Sequence, residues 1–266
     1  MKARPEEKPD FPLWLVVVMA AGLWLYVKVL TDPVYALALG KLSKGVGITI
    51  FVAIISFALA SLFGLLLAVC SLSRFYLVRQ GARLYIEVMR GLPIIVLLLY
   101  VAFVLSPALV DLWNWMAGKL DASPVRSRDF PYIWRAVIAL MLAYGAFLAE
   151  IFRAGLQAVD LGQIEAAKAL GLNGWQRFRH VVLPQAFRII FPPYANDFIA
   201  MVKDSSLVSV LGVIDVTQLG KVTAAGNFRY FETYNLVALI YLTMTITLSL
   251  LLGRLERRLR TRRGDL

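Results

Sequence analysis

The chain has 266 residues, 60% of them hydrophobic, with a formal charge of +11. Ordinary soluble domains are about 45 to 50% apolar, so the composition points to an all-helical polytopic membrane protein and away from a soluble one. A single cysteine, Cys70, excludes a disulfide framework within the chain and lends no support to redox chemistry or a thiolate metal site.

A bilayer core about 30 Å thick is crossed by about 20 apolar residues in helix, because every backbone amide must find its partner inside the segment. Leu13 to Leu30 is the first such stretch, interrupted only by Lys28. It follows Lys2, Arg4 and Lys8, and "ALALG" at Ala36 to Gly40 offers a small-residue cleavage pattern. A signal peptide is thus a second reading, disfavoured because the apolar stretch exceeds the usual length of about 7 to 15 residues. Gly45 to Ser73 and Gly91 to Val110 carry no charged residue, and Arg74, Arg79 and Arg83 lie between them.

Ala136 to Ala149 is uncharged over only 14 residues, so this span is expected to begin near Tyr132 and to continue past Glu150 toward Arg153. Gln185 to Val202 holds Arg188, Pro192, Pro193, Asn196 and Asp197. A broken, polar helix survives in a membrane only when neighbours or water satisfy the freed groups, which predicts an interior position. Thr233 to Gly253 is the last uncharged stretch.

Six spans put both termini on one side. The N-terminus, the Arg74 to Arg83 loop, the Arg153 to Arg188 connection and the tail "RLERRLRTRR" together hold 17 Lys and Arg, against 10 on the opposite side, with Arg90 left inside a span. The positive-inside bias therefore predicts cytoplasmic termini. It accounts for most of the +11 without a nucleic-acid partner, and the basic tail is also expected to meet membrane lipid.

The segment "EAAKALGLNGWQRFRHVVLP", Glu165 to Pro184, lies between the fourth and fifth spans and reads like soluble helical protein. Asp160 with Gln163 offers an N-terminal cap, Gly171 a C-terminal stop, and Asn173 with Gln176 a second cap, which predicts two short helices joined by a glycine turn. Ala166, Ala167 and Ala169 give the first a small-residue surface, Trp175 and Phe178 give the second an apolar footing, and Pro184 marks the start of the next span. A solvated linking loop is the plain alternative. A DNA-binding helix-turn-helix fails on setting, since a recognition helix tethered between two spans could not easily enter a major groove.

Glu165, Ala166, Ala167, Gly171, Val181, Leu183 and Pro184 stand at the spacing E-A-A, three residues, G, nine residues, an aliphatic, one residue, L-P. This resembles the cytoplasmic signature of permease subunits of binding-protein-dependent ABC importers. "RGLP", "AYGAFLAEIFRAG", "GQIEAAKALG", "LPQAFRIIFPPYANDFI" and "KDSSLVSVLG" are similar to the polar amino acid uptake branch, from about Gly45 to Arg258. Asp160-Leu161, Val181 and Ser205 depart from the commoner residues of the pattern, and the first span goes beyond the branch's five-span form. The resemblance implies an organisation of 1-44 (N-terminus, first helix, outer loop), a permease core over 45-253 with a coupling loop at 160-184, and a basic tail over 254-266. It also implies that Glu165, Ala166, Ala167, Gly171, Leu183 and Pro184 dock into a cleft on a cytoplasmic ATPase. No G-x-x-x-x-G-K-[ST] phosphate loop occurs in the chain, so ATP would be hydrolysed on another polypeptide.

Ionisable residues within apolar spans are costly and so are functional candidates. A zwitterionic amino acid needs a planar cation for its carboxylate and an anion for its ammonium. Arg90 with Glu150 or Asp197 could supply them, with Asn196 alongside. Equally, Glu87 with Arg90 and Glu150 with Arg153 have i, i+3 spacing and could neutralise each other, while Arg90 could snorkel to the interface. The lone His180 has no companions for a metal site, and Ser205 and Ser206 have no base beside them, so no catalytic residue, metal or cofactor is expected. Trp14, Trp24, Trp113, Trp115 and Trp134 fall where an interfacial aromatic belt would put them.

The expected protein is an inner-membrane permease subunit importing a polar amino acid by alternating access. Its partners would be two ATPase subunits, an identical or homologous permease and a periplasmic or extracellular binding protein. Two other classes stand beside this reading. An ion-gradient-driven transporter could use Asp197 and Glu150 as proton sites but should show an internal repeat, and none is evident. An integral membrane enzyme would need a catalytic cluster at one face.

Overall fold

The computed structural model describes residues 13–119 and 123–261, all helix and connection with no strand among them. The N-terminal lysines and arginine, the tail residues Arg262 and Arg263 and the Trp14 side chain lie outside the described part. Four stretches are long and apolar enough to cross a membrane: Pro33–Ser71, Ile94–Ala117, Tyr132–Gln157 and Tyr230–Arg258. Two more helices complete the six segments, α1 (Leu13–Thr31), which is apolar and 19 residues long, and α9 (Leu183–Asp204), which is long but polar.

Helix α2 (Pro33–Ser71) begins 12 residues before the expected Gly45. Asp32 caps it, its carboxylate accepting from the Val34 amide at 2.9 Å, and Pro33 opens the first turn where its missing N–H costs nothing. The residues expected as an outer loop, including Lys41, Lys44 and the "ALALG" stretch, are therefore helical. Arg74 lies in the bend that follows α2, and Arg79 and Arg83 lie in α3 (Tyr76–Gly91), an amphipathic helix that buries Ala82 and Ile86. Arg90 thus ends a separate helix and does not open the third span. Leu92-Pro93 breaks the chain, and the span proper is α4 (Ile94–Tyr100), a π-helical turn (Val101–Leu105) and α5 (Ser106–Ala117).

Helix α6 (Tyr132–Gln157) has the expected bounds and is the hub of the bundle. Its small residues Ala136, Ala139, Ala143, Ala146 and Ala149 are buried, which lets α2 approach so closely that a Cβ on Gly64 would stand 2.9 Å from the Gly145 carbonyl oxygen. Around this contact sits the main core, with Val52, Phe57, Leu98, Leu140, Leu148 and Met201. Arg135, 4% exposed, is a buried cation beside this core. It donates to the carbonyls of Ala102 (2.7 Å), Phe130 (3.1 Å) and Ser127, and lies over the Tyr132 ring.

Helix α9 was expected to be broken, yet it runs through Pro192 and Pro193 without interruption. Its packing against α6, α11 (Tyr230–Thr261) and α2 holds the helix where the prolines remove two donors. After a 3₁₀ turn (Ser205–Leu211), α10 (Val216–Asn227) is capped by Asp215, whose Oδ1 accepts from the Gln218 amide at 2.7 Å. The Tyr241 hydroxyl donates to Asp215 Oδ2 at 3.0 Å, and the Val216 amide donates to Thr49 Oγ1 at 3.3 Å, so one buried corner joins α2, α10 and α11. Burial pushes the Asp215 carboxyl above its usual range.

Candidate functional site

The Glu165 to Pro184 segment folds into α7 (Leu161–Ala169) and α8 (Gly174–Arg177) around a glycine turn. Asp160 caps α7 by accepting from the Gly162 amide at 2.6 Å, without the reciprocal bond expected from Gln163. Gly171 sits at φ +78°, donates to the Lys168 carbonyl at 3.0 Å, and Leu172 donates to that of Ala167 at 3.2 Å. These two bonds close the helix as a Schellman motif, which requires a left-handed residue at this point. Asn173 and Gln176 form the full reciprocal capping box, both bonds 2.9 Å.

Helix α8 does not end before the next span. It runs into a second π-helical turn (Phe178–Val182), in which the Leu183 amide donates to the Phe178 carbonyl, and continues as α9. Pro184 therefore stands in the first turn of α9, as expected for the start of that span, although the helical path from α8 runs into it without a gap. Both π turns precede an X-Pro pair, Ser106-Pro107 and Leu183-Pro184. A proline cannot donate to the carbonyl four residues back, and the wider turn accommodates its ring.

The segment presents an apolar surface to its surroundings. Leu161, Leu170, Trp175 and Leu183 are exposed, Leu170 by 82% and Trp175 by 65%, and the Trp175 and Phe178 rings stack with centroids 5.9 Å apart. Glu165, Ala166, Ala169, Gly171 and Pro184 are exposed as well, and no atom lies within 4 Å of the place a Gly171 Cβ would take. Ala167 is buried and faces inward. His180 is an exposed member of the π turn.

The intramembrane candidates fall into two groups. Arg153 grips Glu150 with a two-pronged contact, Nε to Oε1 at 3.1 Å and Nη2 to Oε2 at 2.5 Å, while its Nη1 donates to Gln157 at 3.0 Å. Glu87 and Arg90 make no ion pair with each other among the described residues. Instead Arg90 lies 5.9 Å from the Phe147 ring centroid, and with Arg83 it is in electrostatic reach of Glu150, as Glu87 is of Arg153. The α3–α6 seam is thus one mixed charge cluster that brings Arg90 and Glu150 together.

Asp197 stands apart from that cluster, half-buried on α9, with Asn196 exposed beside it. Its neighbourhood is Tyr144, which donates to Asp204 Oδ2 at 2.7 Å and feels both aspartates. Tyr144 and Asp204 belong to the stretches "AYGAF" and "KDSS", but neither carries a charge pattern within an apolar run that would single it out. The burial of Arg135 depends on the fold of residues 127–130, whose carbonyls at Ser127 and Phe130 it reaches.

Comparison with known proteins follows the same lines. A family described as the binding-protein-dependent transport system inner membrane component matches residues 60–263. The chain is similar to the probable amino-acid permease protein YxeN of Bacillus subtilis, 38% identical over 220 residues, covering 83% of this chain and 92% of that one. It is similar also to the glutamine transport system permease protein GlnP of Escherichia coli, 35% identical over 223 residues, 84% and 94% of the two chains. A crystal structure of an amino acid ABC transporter with histidines aligns with a TM-score of 0.67 at 32% identity, covering 95% of this chain and all of that one. The inward-facing MetNI methionine ABC transporter, at 18% identity and a TM-score of 0.60 over 86% and 99% of the two chains, shares the fold. The chain belongs to the inner membrane components of binding-protein-dependent transport systems.

Proposed function

We propose that the chain is the permease subunit of an ATP-driven importer of polar amino acids in a bacterial inner membrane, with both termini cytoplasmic. Two ATPase subunits bind the 160-184 element, a second permease copy, identical or homologous, completes the pathway, and an extracytoplasmic binding protein delivers the substrate. The observation that carries this reading is the exposed, doubly capped α7–α8 knob joined without a break to α9. A rigid knob with apolar side chains turned outward suits insertion into a cleft of another protein. Its continuity with α9 gives ATP-driven closure a direct mechanical route to Asp197.

For the substrate, Arg90 and Glu150 supply a cation and an anion on one seam. Arg153 also neutralises Glu150, so the pairing role and the binding role are separated by experiment. Purified chain co-expressed with its ATPase and binding protein is reconstituted in vesicles and offered a panel of labelled amino acids. ATP-dependent uptake of a polar amino acid is the expected result. Uptake with no nucleotide-hydrolysing companion would overturn the proposal.

A further inference from the structure

We propose that a recess between α2 and α10, at the end of the bundle opposite the coupling knob, holds the phosphate-bearing headgroup of an anionic phospholipid. The recess has a volume of about 460 Å³ and is lined by Lys41 and Lys44 of α2 and by Leu219, Val222, Thr223 and Asn227 of α10. The two lysines are exposed, stand one helical turn apart and make no ion pair or hydrogen bond among the described residues. Two like charges so placed repel each other and call for an anion. The carbonyl end of α10 nearby offers only a partial negative charge.

The level of the recess identifies the anion. At a rise of about 1.5 Å per residue, Lys44 stands about 40 Å along α2 from Ser71, and Tyr230 about 42 Å along α11 from Arg258. A bilayer with its headgroups is about 40 to 45 Å thick, so helix ends at one surface put this recess among the headgroups of the other. Helix α10 starts against Gly45 and ends beside Lys41, so Leu219 and the 60% exposed Val222 lie deeper than Asn227. Charge above and apolar surface below is the order of a phospholipid. Phe228, Tyr230 and Phe231, which follow Asn227 in the chain, are exposed rings, and Phe228 is held at φ +57°, an uncommon conformation for a bulky residue, 80% exposed.

The test uses the full-length purified chain and native mass spectrometry, titrating phosphatidylglycerol or phosphatidylcholine into wild type and a Lys41→Gln/Lys44→Gln variant. At about fivefold in affinity per lysine, the variant should bind one phosphatidylglycerol per chain about twenty-five-fold more weakly. Phosphatidylcholine binding should not change, and Lys41→Arg/Lys44→Arg should keep the site, which separates charge from misfolding. Equal phosphatidylglycerol retention by wild type and variant overturns the proposal. So does displacement of the lipid by millimolar inorganic phosphate, which would make the ligand a free anion. A third overturning result is a loss, in nanodiscs lacking anionic lipid, of the variant's affinity for the binding protein, which would make the recess a protein-docking site. The readout does not involve transport, so it stands or falls apart from the importer reading.

Discussion

Gly171 offers the sharpest test of how the knob works, because two physical effects can be pulled apart at one position. Its φ of +78° is left-handed, and a Cβ there meets nothing within 4 Å of the chain itself. Replacement by alanine therefore adds only the left-handed strain of an L-residue, about 1 to 2 kcal/mol, or about a fivefold to thirtyfold shift toward a misshapen turn. Asparagine tolerates this conformation better and should cost less than alanine despite its larger size. Arginine has the strain of alanine together with a bulk that this chain can accept and a snug partner cleft cannot. The assay is ATP-dependent uptake beside co-purification of the ATPase. If turn shape dominates, uptake ranks glycine, asparagine, alanine; if contact dominates, alanine outperforms asparagine. In both cases the Gly171→Arg variant should lose uptake and partner together. Uptake at the wild-type level in Gly171→Arg refutes docking through this turn.

Four further outcomes are expected. Gly45→Ala drives a Cβ to 2.6 Å from the Asp215 and Val216 backbone, which cannot swing aside, and should cost about 1 to 3 kcal/mol in thermal unfolding in detergent, whereas Gly47→Ala on the same helix meets nothing and should be neutral. Gly155→Ala places a Cβ 2.2 Å from Ile190 Cγ1; a double variant with Ile190→Ala should recover part of the lost stability, and strict additivity would contradict the contact. Arg135→Lys surrenders the planar fork that reaches three carbonyls and should destabilise by about 2 to 4 kcal/mol; an unchanged unfolding midpoint would show that the fork does not matter. Glu150→Gln releases Arg153 from its two-pronged contact; loss of uptake with ATPase activity and assembly intact assigns Glu150 to the substrate, and loss of assembly assigns it to pairing.

What the sequence made legible follows from where the physics is local. The caps at Asp160 and Asn173 and the stop at Gly171 depend on neighbours within five residues, and each was readable, the missing Gln163 bond apart. The bounds of α6 followed from the length a bilayer imposes. Prolines misled in one place, because Pro192-Pro193 breaks an isolated helix whereas here packing absorbs it; Pro184 does open α9, but a π turn joins that start to α8. Arg90 misled for a related reason: an uncharged run hides a break at Leu92-Pro93 that separates α3 from its span. The pairing of Arg90 with Phe147 and of Tyr144 with Asp204 joins residues more than fifty positions apart, and no periodicity in the chain records it.

The unbroken run from Gly174 to Asp204 has a geometric consequence. Its 31 residues make a helical path roughly 46 Å long, measured along its axis at a rise of about 1.5 Å per residue. A lean of only about 5° at the knob then sweeps the far tip sideways by roughly 4 Å, more than the gap between two atoms in contact. On the proposed docking of the knob, a lever of this length would let a motor work in small strokes and still open a passage wide enough for a side chain.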